Sequence, residues 1–278
     1  MIHLTQAQLR QLQHIELELL VEVHRICQKC GIRYNIIGGT LLGAVRHGGF
    51  IPWDDDADLV MFRDDYEKFR EACKTELDSS KFYFQDMHVT DGYRWGYGKL
   101  RRKGTTFMRE HQEHMPYEQG VFIDIMPLDN VPDAYLGRKL FDVHCYCLRK
   151  IFWSAVGRFT AKSWLKRAWF QMLYRMPFSF VKKYVNLYIG FCKGIKSREV
   201  RISFMPNPRP DACYHRRWFE TNPLMEFEGV QLCGIEDYDG FLTWEFGDYM
   251  TLPPVEKRKV HPVSRLQLVE PDLEGKNE

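Results

Sequence analysis

One stretch of the chain decides the fold, and residues 34–62 read YNIIGGTLLGAVRHGGFIPWDDDADLVMF. A short apolar strand at 34–37 runs into the turn Gly38-Gly39-Thr40, and the helix that follows at 41–47 ends at Gly48. After Pro52, four aspartates lead into the apolar residues 59–62, which predicts a buried strand. The stretch therefore predicts a strand, a glycine turn, a helix and a second strand in succession.

Regular elements on both sides extend this pattern. Thr5 and Gln8 form a capping box, and apolar residues recur every three or four positions from 9 to 26, which predicts a long helix ending at Gly31. Further elements are predicted downstream, namely a helix at 64–77 and strands at 82–84 and 121–126, the last closed by Pro127. Alternating helices and strands are typical of an α/β or α+β sheet domain.

The second half of the chain differs in charge. The 278 residues together carry a formal net charge of +2, whereas Arg138–Arg198 holds 14 Lys and Arg and a single acid, Asp142. This charge fits three interpretations: solvated helix faces, contact with an anionic acceptor, or peripheral docking on an anionic membrane. No recognised nucleic-acid module accompanies it, so we expect no nucleic-acid partner.

One helix of this basic segment has an apolar stripe that Pro177 ends. The stripe consists of Leu165, Ala168, Trp169, Met172 and Leu173. It would serve either to enter a membrane interface or to pack against the rest of the protein. The sequence alone leaves both roles open.

The composition, with 45% hydrophobic and 27% charged residues, is that of an ordinary globular protein. We expect a catalytic core at 1–137, a basic aromatic helical insertion at 138–200, and a part at 201–278 that completes the same catalytic domain. No secretory signal or membrane-spanning stretch is evident, which predicts a cytoplasmic protein, with peripheral contact at the inner face of the plasma membrane as an option. The eight cysteines are then reduced thiols.

The acidic run predicts a metal site. In an extended strand, Asp54, Asp56 and Asp58 share one face at about 6.5–7 Å spacing, and Asp55 lies on the other. Three like charges repel one another unless a divalent cation neutralises them, and carboxylates are the ligands that Mg²⁺ or Mn²⁺ prefers. A solvated acidic loop is the alternative. An EF-hand is rejected, because the pattern requires Gly where Leu59 stands.

Two further features point to phosphate chemistry. The turn formed by Gly38, Gly39 and Thr40 offers backbone N–H groups and a hydroxyl to a phosphate. Asp124 lies within the apolar run 122–125, where an acid is rare unless it binds a ligand or is satisfied by hydrogen bonds, and both readings stay open. A metal beside a phosphate cradle is typical of phosphoryl transfer.

Residues 38–58 closely resemble the signature of the LicD family of phosphocholine transferases, whose fukutin-type relatives transfer ribitol phosphate. Residues 247–254, followed by Arg258 and His261, are similar to the closing motif of that family. The resemblance implies a nucleotidyltransferase-like mixed sheet flanked by helices. It also implies metal binding and catalysis by Asp56 and Asp58, with Asp54 and Asp124 as further acids, and substrate binding by Arg258 and His261.

Other side chains are candidates for binding substrate. The pair Arg46 and His47 and the basic cluster at 99–103, above all Lys99 and Arg102, could grip a diphosphate, although each could equally be a plain surface charge. A quaternary ammonium such as choline is held mainly by aromatic faces. Trp95 and Tyr97 are the first choice for such a cage because they would share a strand face.

The activity implied by the resemblance is transfer of phosphocholine from CDP-choline to a hydroxyl of a bacterial cell-surface glycan, of teichoic acid or lipopolysaccharide type, or of its lipid-linked precursor, with release of CMP. The expected cofactor is Mg²⁺ or Mn²⁺. Three alternatives remain: transfer of ribitol or glycerol phosphate from another CDP-activated alcohol, true nucleotidyl transfer, and a non-catalytic glycan- or membrane-binding module with the same fold.

Overall fold

The computed structural model describes residues 2–205, 213–258 and 260–269. The α-helices are α1 (Gln6–Cys30), α2 (Gly38–His47), α3 (Arg63–Glu76), α4 (Tyr135–Thr160), α5 (Trp164–Tyr174), α6 (Phe178–Lys193) and α7 (Tyr238–Phe246). The strands are β1 (Asn35–Ile36), β2 (Asp58–Phe62), β3 (Phe82–Gln85), β4 (Gly98–Arg102), β5 (Thr106–Arg109), β6 (Phe122–Asn130), β7 (Glu199–Arg201), β8 (Tyr214–His215), β9 (Leu224–Phe227), β10 (Val230–Cys233) and β11 (Val263–Gln267).

The central sheet has the strand order β1-β2-β6-β4-β3. The strands β2 and β6 run parallel, whereas β1, β4 and β3 run antiparallel to their neighbours. The short strands β7 and β8 extend the sheet beyond the far end of β6. Helices α1 and α3 contact β6. This mixed sheet flanked by helices confirms the predicted α+β class.

Helix α1 forms for the reasons that its sequence indicates. The Thr5 hydroxyl oxygen accepts a hydrogen bond from the Gln8 backbone N–H, and the Gln8 side-chain oxygen accepts one from the Thr5 backbone N–H, so the predicted capping box is confirmed. The helix ends at Gly31, as predicted. Its apolar face is buried in the main core and comprises Leu12, Ile15, Leu19, Val23 and Ile26. Burial of this face anchors α1 to the sheet.

The acidic run is a loop rather than the head of a strand, which corrects one prediction. Strand β2 begins only at Asp58, because pairing with β6 starts there and pairing with β1 starts at Leu59. The loop is held instead by Gln13 on α1, whose side-chain amide donates to the Asp54 carbonyl at 2.9 Å. Helix α2 likewise begins at Gly38, three residues before the predicted start.

Strand β6 continues through Pro127 to Asn130, although Pro127 was expected to close it. The pairing with β4 ends opposite Ile125, and the pairing with β7 starts at Asp129. Proline has no backbone N–H to donate; on this edge of β6 it lies in the gap between two partner strands, while on the other edge Met61 of β2 is its register partner. The missing donor therefore leaves the strand intact.

Helices α4 and α6 share a second apolar cluster, separate from the main core. Its members include Phe141, Cys145, Leu148, Val185 and Ile189. Helix α5 contacts α4 by burying Phe170 against Gly157. Its predicted apolar stripe does not pack against the rest of the protein, since Leu165 and Met172 are each 60% exposed. The division of the chain into a core, an insertion and a completing part stays a prediction.

Two further observations concern membrane segments and cysteines. Within the described residues, no helix combines the length and the apolar character needed to cross a bilayer. All eight cysteines are free thiols, and of the C-x-x-C pair Cys27 is buried while Cys30 is exposed.

Candidate active site

The N-terminus of α2 lies directly against two aspartate carboxylates. Gly38 opens the helix with a φ of +58°, in the region that favours glycine. A Cβ atom on Gly39 would lie 2.5 Å from Asp54 Oδ2, and one on Gly38 would lie 3.9 Å from Asp58 Oδ2. The first-turn N–H groups of a helix attract anions. A side chain at residue 39 would force the Asp54 carboxylate to shift.

The acids around this turn are half-buried and repel one another. Burial and the charges of Asp56 and Asp55 raise the pKa of Asp54 to about 8. Burial and the charges of Asp56 and Asp124 raise the pKa of Asp58 well above its usual range. Groups that perturb one another in this way lie within electrostatic reach, and a bound cation would relieve the repulsion.

Asp124 faces these acids from the neighbouring strand. Asp58 on β2 is the register partner of Asp124 on β6, which pairs in turn with Lys99 on β4. The Lys99 ammonium forms an ion pair with the Asp124 carboxylate. Burial lowers the pKa of Lys99 to about 7, and Asp124 opposes that shift. Lys99 thus offsets part of the charge at this end of the acid cluster.

His261 links the second sequence motif to the acidic loop. Its backbone N–H donates to Asp55 Oδ2 at 2.8 Å, and its Nδ1 lies 3.0 Å from Asp55 Oδ1 and 3.5 Å from Asp56 Oδ2. Arg109 Nη2 on β5 lies 3.6 Å from the same Asp56 oxygen. Burial raises the pKa of Asp56, whereas His261 and Arg109 lower it. Asp55 therefore holds the C-terminal motif, while Asp56 lies between the His261 imidazole and the Arg109 guanidinium.

The donor set fits a hard divalent cation. Ligand atoms of Asp55, Asp56 and His261 lie within 4.8 Å of one another, and the carboxylates of Asp54 and Asp58 lie at the neighbouring helix N-terminus. Carboxylates dominate this set, which suits Mg²⁺ or Mn²⁺ better than a soft metal. Asp56 belongs both to the predicted metal ligands and to this group of three residues whose ligand atoms lie within 4.8 Å of one another. The close grouping of these ligand atoms, with further carboxylates beside them, is the observation that favours a cation here.

The two sequence motifs meet beside Trp53. Arg46 Nη1 donates to the Tyr249 carbonyl at 2.6 Å, and the Arg258 guanidinium lies 4.1 Å from the Trp53 ring centroid. His47 packs edge-on against Trp53 with ring centroids 6.3 Å apart. Arg46 and His47 lie at the C-terminal end of α2, about 12 Å along the helix from its first residue. They therefore lie near the acidic loop but not at the glycine turn.

A cavity of about 570 Å³ opens beside the acid cluster. Three of its lining residues are bases that contact the acids: Lys99, Arg109 and His261. Trp95 and Tyr97 also line it, with ring centroids 6.4 Å apart, so the predicted aromatic pair is adjacent in space. Trp153 of α4 faces Trp95 at 5.9 Å. The cavity thus combines charged and aromatic walls.

Two predicted binding residues have other partners. Arg102 lies on the opposite face of β4 from Lys99 and donates from Nε to Glu18 on α1 at 2.9 Å. The Thr40 hydroxyl oxygen accepts the Asp58 backbone N–H at 2.8 Å and so fixes the start of β2. Arg102 therefore does not line the cavity, and the Thr40 hydroxyl is engaged in a hydrogen bond within the protein.

Several site residues escaped the sequence analysis. Glu16 is buried on α1 with no hydrogen-bond partner for Oε2, and burial and Asp56 raise its pKa. Arg109 buries Nε and Nη2 without hydrogen-bond partners. Glu16 could have been recognised from the sequence, because it follows Leu12 by four residues and therefore lies on the apolar face of α1. No local pattern distinguished Arg109 or Trp153, because strand register and helix packing place them.

Known proteins share these motifs. Residues 31–141 match the family model described as LicD/FKTN/FKRP, nucleotidyltransferase domain. The lipopolysaccharide cholinephosphotransferase LicD of Haemophilus influenzae is 28% identical over 285 residues, covering 94% of this chain and 98% of that protein. The human ribitol 5-phosphate transferase FKRP is 50% identical over 78 residues, covering 27% of this chain and 16% of that protein.

The family model that matches residues 31–141 describes a nucleotidyltransferase domain, and the mixed sheet with an Asp-x-Asp pair beside a glycine-opened helix is consistent with that class. More particularly, residues 31–141 match the LicD-family domain. The resemblance inferred from the two sequence motifs is thereby confirmed.

Proposed function

We propose that this protein transfers phosphocholine from CDP-choline to a hydroxyl of a glycan or of its lipid-linked precursor and releases CMP. One observation carries the proposal: half-buried carboxylates converge at the N-terminus of α2, beside a cavity lined by basic side chains and aromatic rings. The similarity to a lipopolysaccharide cholinephosphotransferase over nearly the whole chain supports the choice of transferred group and acceptor class.

The protein's part in the reaction follows from these positions. Asp56 and Asp58 would hold Mg²⁺ or Mn²⁺, which when bound would neutralise charge on the donor diphosphate. Arg109, ion-paired with Asp56, buries N–H groups that have no hydrogen-bond partner and would donate them to a phosphate oxygen. Asp54 or Asp124 would take the acceptor hydroxyl proton. The acceptor oxygen then bonds to the choline-bearing phosphorus, and the bond from that phosphorus to the bridging oxygen breaks, so CMP leaves.

The aromatic wall of the cavity favours a cationic head group. Trp95, Tyr97 and Trp153 place three electron-rich rings in one region. A trimethylammonium group has no N–H to donate and gains from such faces, whereas a polyol gains little from them. This wall therefore supports choline over ribitol or glycerol as the transferred alcohol.

Ribitol phosphate transfer is the second candidate. Its support is the 50% identity to a ribitol 5-phosphate transferase over 78 residues. That match covers only 27% of the chain. Comparing CMP release from CDP-choline, CDP-ribitol and CDP-glycerol separates these donors, and phosphorus-31 spectra of the product distinguish phosphocholine transfer from nucleotidyl transfer.

Removing a metal-site carboxylate tests the proposal. Asp56→Asn or Asp58→Asn should lower Mg²⁺-dependent CMP release from CDP-choline by about a thousandfold or more, because each removes a charge from the diphosphate-binding centre. The matched control is Asp91→Asn, since Asp91 is exposed in the loop before β4. Full activity in both site variants, with native circular dichroism, would remove the mechanism.

A further inference from the structure

The outer face of α4 is apolar where a solvent-facing helix is normally polar. Leu136, Leu140 and Val143 are 71%, 64% and 62% exposed, and they lie at positions i, i+4 and i+7 on one side of the helix. The opposite side of α4 is buried in the second apolar cluster. The helix therefore has two apolar faces, and the structure covers only one.

Helix α6 repeats this arrangement. Phe180, Tyr184, Leu187 and Phe191 recur at i, i+4, i+7 and i+11, and all four are exposed. His144 of α4 stacks on Tyr184 with ring centroids 5.2 Å apart, so the two helices are neighbours. Their exposed stripes thus lie on adjacent elements.

Helix α5 adds a third exposed apolar group. Trp164 is 74% exposed, and the stripe through Leu165, Trp169 and Met172 is exposed as well. Of the 24 large hydrophobic side chains exposed in the described part of the chain, 15 lie between Tyr135 and Phe191. An apolar concentration of this kind marks an interaction surface.

The same segment is strongly basic. Between Tyr135 and Phe191 it holds 11 Lys and Arg against Asp142 alone, and Asp142 is ion-paired with Arg201. Cations lie over exposed aromatic rings, with Lys139 5.6 Å from the Tyr135 centroid and Arg158 4.5 Å from the Phe159 centroid. Aromatic rings beside Lys and Arg, with few acids, are typical of elements that lie in a lipid headgroup layer.

We propose that α4, α5 and α6 together form a docking face that lies on an anionic lipid bilayer. A bilayer with anionic headgroups complements both the basic charge and the apolar rings. A protein partner is less suited, because protein interfaces are depleted in lysine. The proposal stands on residues outside the catalytic cluster and does not depend on the identity of the donor.

Docking would also bring the catalytic cavity to the lipid surface. Tyr146, Arg149, Lys150 and Trp153 of α4 line that cavity, while Leu136, Leu140 and Val143 of the same helix belong to the docking face. An acceptor attached to a lipid would then reach the cavity along α4. This geometry deepens the proposed choice of a lipid-linked acceptor.

Vesicle flotation with the full chain, without donor or metal, tests the docking face. The vesicles are phosphatidylcholine with about one third phosphatidylglycerol, and pure phosphatidylcholine is the reference. The wild type should float with the anionic vesicles. Two variants, Trp164→Ser/Phe180→Ser/Leu187→Ser and Lys162→Gln/Lys166→Gln/Lys183→Gln, should each lose about tenfold or more in partitioning.

Matched controls change equivalent exposed residues elsewhere. Val89→Ser/Leu224→Ser/Tyr238→Ser and Lys29→Gln/Lys68→Gln/Lys74→Gln should keep wild-type partitioning. The proposal is overturned if the wild type stays with the unbound fraction, or if the face variants float as the wild type does. It is also overturned if sedimentation shows that the face holds a dimer that the serine variant dissolves while vesicle binding is absent. Failure of CMP release would leave these readouts unaffected.

Discussion

At the scale of single residues, the site depends on how closely the backbone of α2 approaches a carboxylate. A methyl group at residue 39 would displace Asp54, because the Asp54 carboxylate oxygen lies 2.5 Å from where the added Cβ would be. Asp54 in turn is crowded by Asp55 and Asp56. One added methyl group at residue 39 would therefore move Asp54, which lies beside the acids that we propose hold the metal.

Gly39→Ala should lower CMP release by about a hundredfold while costing about 1–3 kcal/mol of unfolding free energy, because the added Cβ displaces Asp54. Steady-state kinetics and urea unfolding measure the two effects. Gly190→Ala is the matched control, since nothing lies within 4 Å of its added Cβ in α6. It should keep activity and leave stability unchanged or raised. Equal activity in both variants would contradict the proposed role of the glycine turn.

At the scale of elements, α4 carries two functions on two sides. Trp153 faces the cavity and contacts Trp95, whereas the docking face points outward. The sequence predicted a basic helical segment but not that one of its helices would form a wall of the active site. Trp153 could not be identified beforehand, because its neighbour Trp95 lies 58 residues earlier and only tertiary packing joins them.

Trp153→Ala should raise the KM for CDP-choline by about threefold to thirtyfold, the worth of one desolvated cation–π contact, and should change the KM for CDP-ribitol far less. Kinetics with both donors, in the absence of membranes, give the comparison. Trp164→Ala on α5 serves as the control, because Trp164 is 74% exposed and outside the cavity lining. An equal loss for both donors would argue against an aromatic choline site.

At the scale of the whole molecule, the candidate active site is formed by two parts of the chain that are distant in sequence. Asp55 and His261 are 206 residues apart and form two hydrogen bonds. Arg46 and Tyr249 form a further link between the same two regions. Strand β11, just after His261, pairs with β5, which carries Arg109. The C-terminal motif thus fixes both the acidic loop and a cation of the cavity.

Asp55→Ala should free the segment around His261 and lower CMP release by about tenfold to a hundredfold, because the C-terminal motif would lose its two hydrogen bonds to the acidic loop. Hydrogen exchange over 260–263 should speed up relative to the wild type, while α1 keeps its protection. Asp237→Ala offers a comparison, because it removes the N-cap of α7 away from His261. Unchanged exchange at 260–263 in Asp55→Ala would show that this link is dispensable.

The sequence by itself determined the local elements, the clustered acids, the basic segment and the family. Caps, periodicity and charge act between residues a few positions apart, so Thr5, Gly31 and Gly48 could be read directly. Only the tertiary structure decided that Asp55 binds His261, that Arg102 turns away to Glu18, and that Glu16 and Arg109 join the site. Those contacts depend on sheet register and helix packing, which bring together residues that no local pattern relates.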